Sequence, residues 1–222
     1  LQALDGFKDG PWQKYFKGII DKAQDAESRE KGILLTNIQN LYSIYDKKEL
    51  KELSKKKFIN EFGNTFMKSE LIAMALNLGN VSNKEKLLGK PPVGVDSSNW
   101  NEQVLMSVLQ NELTEKDWKF VQDSWDLVNS YWPRVADLHR DVTGFTPEKI
   151  EATPFQVVSN GKVIDLKGGY YPLKKDSRES QVANEQEIST ELRQEMPTYV
   201  AKTKQGHLEA RVDAEYSVSL SL

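Results

Sequence analysis

Trp118, Trp125 and Trp132 recur at seven-residue spacing, and Val121, Val128 and Val135 recur at the same spacing between them. A repeat of bulky and smaller apolar residues at this period keeps one stripe of an α-helix facing a partner. It therefore commits this part of the chain to a long helix packed along a seam. Such a seam suits a packed helix pair better than a grip on a cofactor, and a ladder of rings for stacking bases or sugars is the functional alternative. Thr114-Glu115-Lys116-Asp117 has the spacing of a capping box, with Asp in place of Glu, and marks the helix start. Pro133 removes one backbone donor and predicts a kink. Leu138 and Val142 carry the pattern on to Gly144.

Helical spacing of apolar residues also predicts helices over 12–23, 28–45, 66–78 and 100–113. The third is apolar on most sides through Phe66, Leu71, Ala73, Met74, Ala75, Leu76 and Leu78, as a buried helix is. Gly79 is expected to end it in a left-handed conformation. Residues 81–99, rich in Asn, Gly, Pro and Ser, read as a loop with a short basic turn at 84–88.

After Pro147 the apolar period changes from helical to two. Residues 155–158 and 162–166 flank Ser159-Asn160-Gly161, and Asn-Gly between extended runs is a strong hairpin signal, because its turn needs positive φ at both centres. Gly168-Gly169-Tyr170-Tyr171-Pro172 reads as a tight turn fixing the hairpin exit. A phosphate cradle there would need a following helix and a third glycine, and the chain has neither. From 174 to 194 the chain is highly polar, with a short helix expected over 187–196. Residues 198–222 read as loop and strand, closing on the alternating Ser217, Val218, Ser219, Leu220, Ser221 and Leu222. With no partner evident, that run is expected to pair with further chain or another subunit. The expected fold is mainly α: an irregular helical bundle with one long kinked helix, a small β-hairpin and an extended C-terminal tail. The expected division is a helical domain over 1–150 and a hairpin and loop region over 151–222 packing on it, continuing in a longer chain.

Composition narrows the function classes. The 222 residues carry 30 Lys plus Arg against 33 Asp plus Glu, with no Cys and two His. No apolar run is long enough to span a membrane. No basic excess is available for broad phosphate neutralisation, and there is no thiol nucleophile or zinc-thiolate set. Nucleotide-binding, hydrolase-elbow, zinc-helix and calcium-loop motifs are all missing, so no catalytic, cofactor or metal residue is assigned. One locally basic run stands out: Lys47, Lys48, Lys51, Lys55, Lys56 and Lys57 against Glu49 and Glu52. A solvated helix end with Glu–Lys pairs is the simpler reading, and contact with DNA or another anionic surface the alternative. Asp117, Asp123, Asp126, Asp137 and Asp141 lie along the Trp helix, mostly on its expected solvent side. His139 reads as a helix-end residue, favourable to the dipole, and His207 has no neighbour at metal-ligand spacing. The residues expected to hold the structure are Trp118, Trp125, Trp132, Pro133, Asn160, Gly161, Gly168 and Gly169.

Three strings carry a resemblance. They are Ala73-Met74-Ala75-Leu76-Asn77-Leu78-Gly79-Asn80 with Asn83, Lys86, Leu87 and Leu88; Leu113 to Trp118 with Val121, Gln122, Trp125, Asp126, Trp132 and Pro133; and Thr143 to Ala152 leading to Gly168 to Leu173. Gly206, Arg211, Val212 and the closing Leu220-Ser221-Leu222 make a weaker fourth. In this order, over about residues 60–222, the chain resembles a segment of very large multidomain proteins of tailed bacteriophages and mobile elements, of the internal virion or ejected type. The resemblance implies a non-enzymatic scaffold module, carried in the virion and delivered to the host cell during genome ejection, with other segments or copies of a larger phage protein as partners. It brings no catalytic residue with it. The alternatives are a cell-wall lytic, nucleic-acid-processing or DNA-binding module of such a protein.

Overall fold

The structure is a computed structural model and describes residue 10 and residues 16–172. Two compact units are present, one reaching Ser43 and the other starting at Ile44. Among the described residues there are six α-helices and four short strands, so the fold is mainly α, with one long helix. The helix over 187–196, the closing strand run, the C-terminal tail and His207 lie outside the described residues.

The first unit is represented by α1, Gly18–Tyr42. The expected helices over 12–23 and 28–45 are here a single helix, and residues 11–15 lie outside the described set. The polar stretch between the two apolar patterns, Gln24 to Arg29, is built of residues that tolerate a helix and holds no Gly or Pro. Loss of the apolar stripe there does not stop the backbone ladder. A Glu27–Lys31 ion pair one turn apart spans part of that stretch.

In the second unit, α2 (Lys47–Leu53) is followed by a hairpin of β1 (Lys56–Ile59) and β2 (Asn64–Met67), in register Lys56↔Met67 to Ile59↔Asn64. This hairpin has no counterpart in the sequence reading. Phe66 and Met67, expected in a helix, are its last residues, and α3 runs only from Lys68 to Leu76. The Glu70 carboxylate accepts the Met67 N–H at 2.7 Å and marks the helix start. Gly63 at φ +62° turns the hairpin, and Ile59, Phe62 and Phe66 are buried.

Residues Leu71 to Leu76 are all buried, as their uniform apolarity requires. A 3₁₀ turn, Asn77–Gly79, follows, and Gly79 is not left-handed. The expected loop at 81–99 is partly wrong: Val81–Gly89 is α4. Asn80 caps it, its Oδ1 accepting the Asn83 N–H at 2.9 Å. Pro91 and Pro92 lie past the helix end, where they do no harm.

Asn101 caps α5 (Glu102–Glu112) by accepting the Val104 N–H at 3.0 Å. The long helix α6, Glu115–Thr143, begins at the capping box read from Thr114 and Asp117 and continues unbroken through Pro133. Its seam is buried only in the first half, at Trp118, Val121 and Trp125. Val128, Trp132 and Val135 are half-buried, and Leu138 and Val142 are exposed.

Strands β3 (Phe155–Ser159) and β4 (Lys162–Leu166) form the expected antiparallel hairpin. Asn160 at φ 51° and Gly161 at φ 77° supply the two positive dihedrals of its turn. The Phe155 ring meets Trp118 and Trp125 edge-on, at centroid distances of 6.5 and 6.1 Å. The Ser159 hydroxyl donates to the Leu113 carbonyl at 3.0 Å.

Candidate functional site

The chemically distinctive residues gather at one junction between α3, α6 and the chain leaving the second hairpin. The Gly79 carbonyl accepts two backbone donors, Thr153 N–H at 2.9 Å and Gly169 N–H at 2.8 Å. Trp125 lies against both glycines and donates its Nε1–H to the Leu76 carbonyl at 2.9 Å. Gly168, at φ +74°, presses on the Thr153 and Gly79 carbonyls. A side chain there would meet backbone on one side and require a disfavoured dihedral on the other. The glycines serve close approach of backbone to backbone and to an indole, not the binding of phosphate.

Asparagines complete the junction. Asn80 Nδ2 donates to the Gly169 carbonyl at 3.1 Å while its Oδ1 caps α4. Asn83 Nδ2 donates to the Tyr171 carbonyl at 2.8 Å and to Asn77 Oδ1 at 3.3 Å. Asn77 Nδ2 donates to the Ala73 carbonyl at 2.8 Å. All three amides are buried, so each bond offsets a desolvation penalty that an unpaired amide would carry in full. Asn83 Oδ1 and Trp118 Nε1 are buried with no hydrogen-bond partner among the described residues.

Asp117 corrects the expectation of a solvent-facing row of acids. It is 0% exposed, and four donors converge on its carboxylate. Tyr45 Oη–H reaches Oδ1 at 2.9 Å. Thr114 N–H and Oγ1–H each reach Oδ2 at 2.7 Å, as does Lys68 Nζ. A carboxylate offers about four lone-pair sites, so this one is fully engaged in joining the start of α6 to α3 and to the chain before α2. It has no position left to accept a proton from a substrate. Asp126, Asp137 and Asp141 are exposed and Asp123 is half-buried; Asp123 pairs with Lys119 and Asp137 with Arg140. No group of three or more His, Cys, Asp or Glu among the described residues is arranged to hold a metal.

His139 sits in the last turns of α6. Its Nδ1 lies 2.8 Å from the Phe145 carbonyl and 3.0 Å from Thr143 Oγ1, and Gly144 at φ +77° terminates the helix. It closes a helix end and meets no acid among the described residues.

The six lysines of the basic run are all exposed but do not share one helix. Lys47, Lys48 and Lys51 lie on α2, Lys55 follows it, and Lys56 and Lys57 are on β1. Lys55 pairs with Glu52 and Lys57 with Glu112, each at 2.6 Å. Asp46 caps α2 by accepting the Glu49 and Lys48 N–H groups, and those backbone bonds hold its carboxyl below the usual range. Glu49 is lowered as well, first by its hydrogen bond from Lys116 and then by that from the Asp46 N–H.

Of the residues expected to be structural, Trp118, Trp125, Asn160, Gly161, Gly168 and Gly169 meet at the hairpin and junction. Trp132 and Pro133 lie further along α6, away from it. Sequence reasoning missed Gly79 as a contact residue, the asparagine relay and the burial of Asp117. The one available signal was the density of Asn around Gly79. No helix among the described residues is long and apolar enough to cross a membrane. No protein-family model matches the chain, and no curated protein or solved structure matches it.

Proposed function

We propose that this chain is a non-enzymatic scaffold module of a large bacteriophage or mobile-element protein, carried in the virion and delivered to the host cell during genome ejection. Its partners on this reading are other segments or copies of that larger protein. The observation that supports it is convergence. Gly79, Asn80 and Asn83 of the first resembling string, Trp125 of the second, and Gly168, Gly169 and Tyr171 of the third interlock at one buried junction. Unusual residues that hold one another leave their unusual character explained by architecture. Asp117, the most deeply placed acid, is spent in the same way.

The test has two arms. Particles purified from cells carrying the encoding element are digested and searched for peptides of this chain, and the purified chain is assayed for peptidoglycan release and nuclease activity. Peptides in the particle fraction and no turnover are expected. Absence from particles overturns the location, and clear turnover overturns the scaffold role.

A second reading rests on Lys47, Lys48, Lys51 and Lys56, which are exposed and make no salt bridge among the described residues. They would give a DNA-contacting face whose affinity falls with salt. Binding to a DNA duplex at low salt, lost in Lys47→Glu/Lys48→Glu/Lys51→Glu, would favour that reading over the scaffold.

A further inference from the structure

The last turns of α6 carry an apolar stripe that runs out of the core into solvent. Leu138, Val142 and, just past the helix, Phe145 are 44%, 75% and 75% exposed. Tyr131 and Val135, earlier on the same side, are half-buried. Spacings of three and four residues set the four helical members within about 60° of one another around the axis. Large apolar side chains gathered in this way mark an interaction surface, whereas scattered single ones do not. The order along the stripe reads the same from either end. Val135 and Val142 flank Leu138 at three residues before and four after, and Tyr131 and Phe145 stand seven residues to either side. An identical helix laid antiparallel about a two-fold axis at Leu138 therefore brings leucine to leucine, valine to valine and ring to ring.

The charges beside the stripe follow the same symmetry with opposite sign. Arg134 and Asp141, both exposed, stand four residues before and three after Leu138, on one flank of the stripe. In an antiparallel pair like flanks face each other, so Arg134 of each copy meets Asp141 of the other. A parallel pair joins opposite flanks and loses that match. We infer that two copies of this chain pair through the ends of α6, antiparallel and centred on Leu138. An unrelated partner would require neither the symmetric order of side chains nor the opposed charges. Few side chains take part, so the contact is smaller than the usual interface of about 800 Å² per partner, and the dimer forms and dissociates with concentration. Pairing of copies goes beyond the scaffold reading. The particle search decides where the chain resides, and the oligomeric state of the purified chain decides whether α6 pairs.

Sedimentation velocity of the full chain over a concentration series tests the inference, and the mass should rise from monomer towards dimer. Leu138→Glu sets two carboxylates against each other at the axis and should raise the dissociation constant about tenfold or more. The thermal melt of the monomer should not change, because Leu138 is exposed in the single chain. Arg134→Asp should weaken pairing about fivefold, and Arg134→Asp/Asp141→Arg should restore it. The chain has no Cys, so Leu138→Cys supplies a single thiol. It should oxidise to a covalent dimer about tenfold or more faster than Asp126→Cys, which is exposed on the same helix but far from the axis. A chain that stays monomeric at every concentration overturns the inference. So does a dimer indifferent to Leu138→Glu. Failure of the double charge exchange to restore pairing overturns the antiparallel arrangement and the inference with it.

Discussion

Gly79→Ala isolates the junction as a matter of space. Gly79 does not occupy the left-handed region, so alanine is allowed there by its backbone. A methyl group at that position, however, would stand 2.5 Å from the Gly169 carbonyl oxygen and 2.5 and 2.6 Å from two ring carbons of Trp125. Neither neighbour can give way cheaply. The oxygen is main chain, and the ring is fixed by its Nε1–H bond to Leu76 and by packing against Phe155. Overpacking a rigid core costs about 1–3 kcal/mol. Displacing this backbone also stretches the two bonds that Gly79 accepts from Thr153 and Gly169, each worth about 1 kcal/mol. The expected loss is about 3–4 kcal/mol, a large share of the roughly 5–15 kcal/mol that stabilises a typical domain. Urea unfolding followed by Trp fluorescence measures it, with Gly89→Ala as the control because nothing lies within 4 Å of the added methyl there. If Gly79→Ala unfolds within about 0.5 kcal/mol of the native chain, the junction is looser than described and the argument from close approach fails.

Other residues allow sharper comparisons. Asp117→Leu should cost about 3–5 kcal/mol in the same titration, because it removes the carboxylate that pairs with the Lys68 ammonium and accepts from Thr114 and Tyr45; Lys68→Met added to it should recover part of that loss. Trp125→Phe should destabilise more than Trp118→Phe by about 1–2 kcal/mol, since only Trp125 leaves a buried carbonyl without its donor; equal losses would contradict the assigned bond. Gly161→Val should weaken the second hairpin, because a β-branched residue resists φ +77°, and faster amide exchange at Val157 and Ile164 is the readout. The carboxyls of Asp46 and Glu49 are lowered below their ordinary 3.8 and 4.5. Their support of the α2 cap is therefore complete above those values and fades as pH falls through the lower folded ones. Amide shifts of Lys48 and Glu49 should stay constant from pH 7 to about 5 and move only in the acid range below it; movement near neutrality would sink this account.

The elements legible in the sequence are those whose signal is local. Thr114 and Asp117 start α6 and the Asn160-Gly161 turn closes its hairpin, as read, because each is decided within four or five residues. The breaks came where a local signal was weak or served a distant purpose. Residues 81–99 looked like a loop by their Asn, Gly, Pro and Ser content, yet 81–89 are helical, Asn80 is their cap and Asn83 reaches Tyr171 across the fold. Phe66 fitted helical spacing with Leu71 and Met74 but pairs with Lys57 in a strand, since one apolar residue satisfies either period. Gly79 was expected to turn a helix and instead makes room for an indole. Asp117 carried the right cap, but its burial depends on Tyr45 and Lys68, far away in sequence. Half of the Trp seam, from Val128 on, is less enclosed than its regular repeat implied.

The single carbonyl of Gly79 also fixes an order of events. Its two donors lie at residues 153 and 169, so the first bond cannot form until the whole of α6 has been laid down and brought back, and the second not until the second hairpin has followed it. Closing loops of that size carries an entropic charge that nearby contacts do not repay. The capped helices and the two hairpins, being local, can appear on microsecond scales, while Trp125 waits for its glycines. The junction should be the last part to form as the protein folds and the first to open as it unfolds. A chain halted on the ribosome before about residue 169 would then hold native helices around a core that is still unlatched.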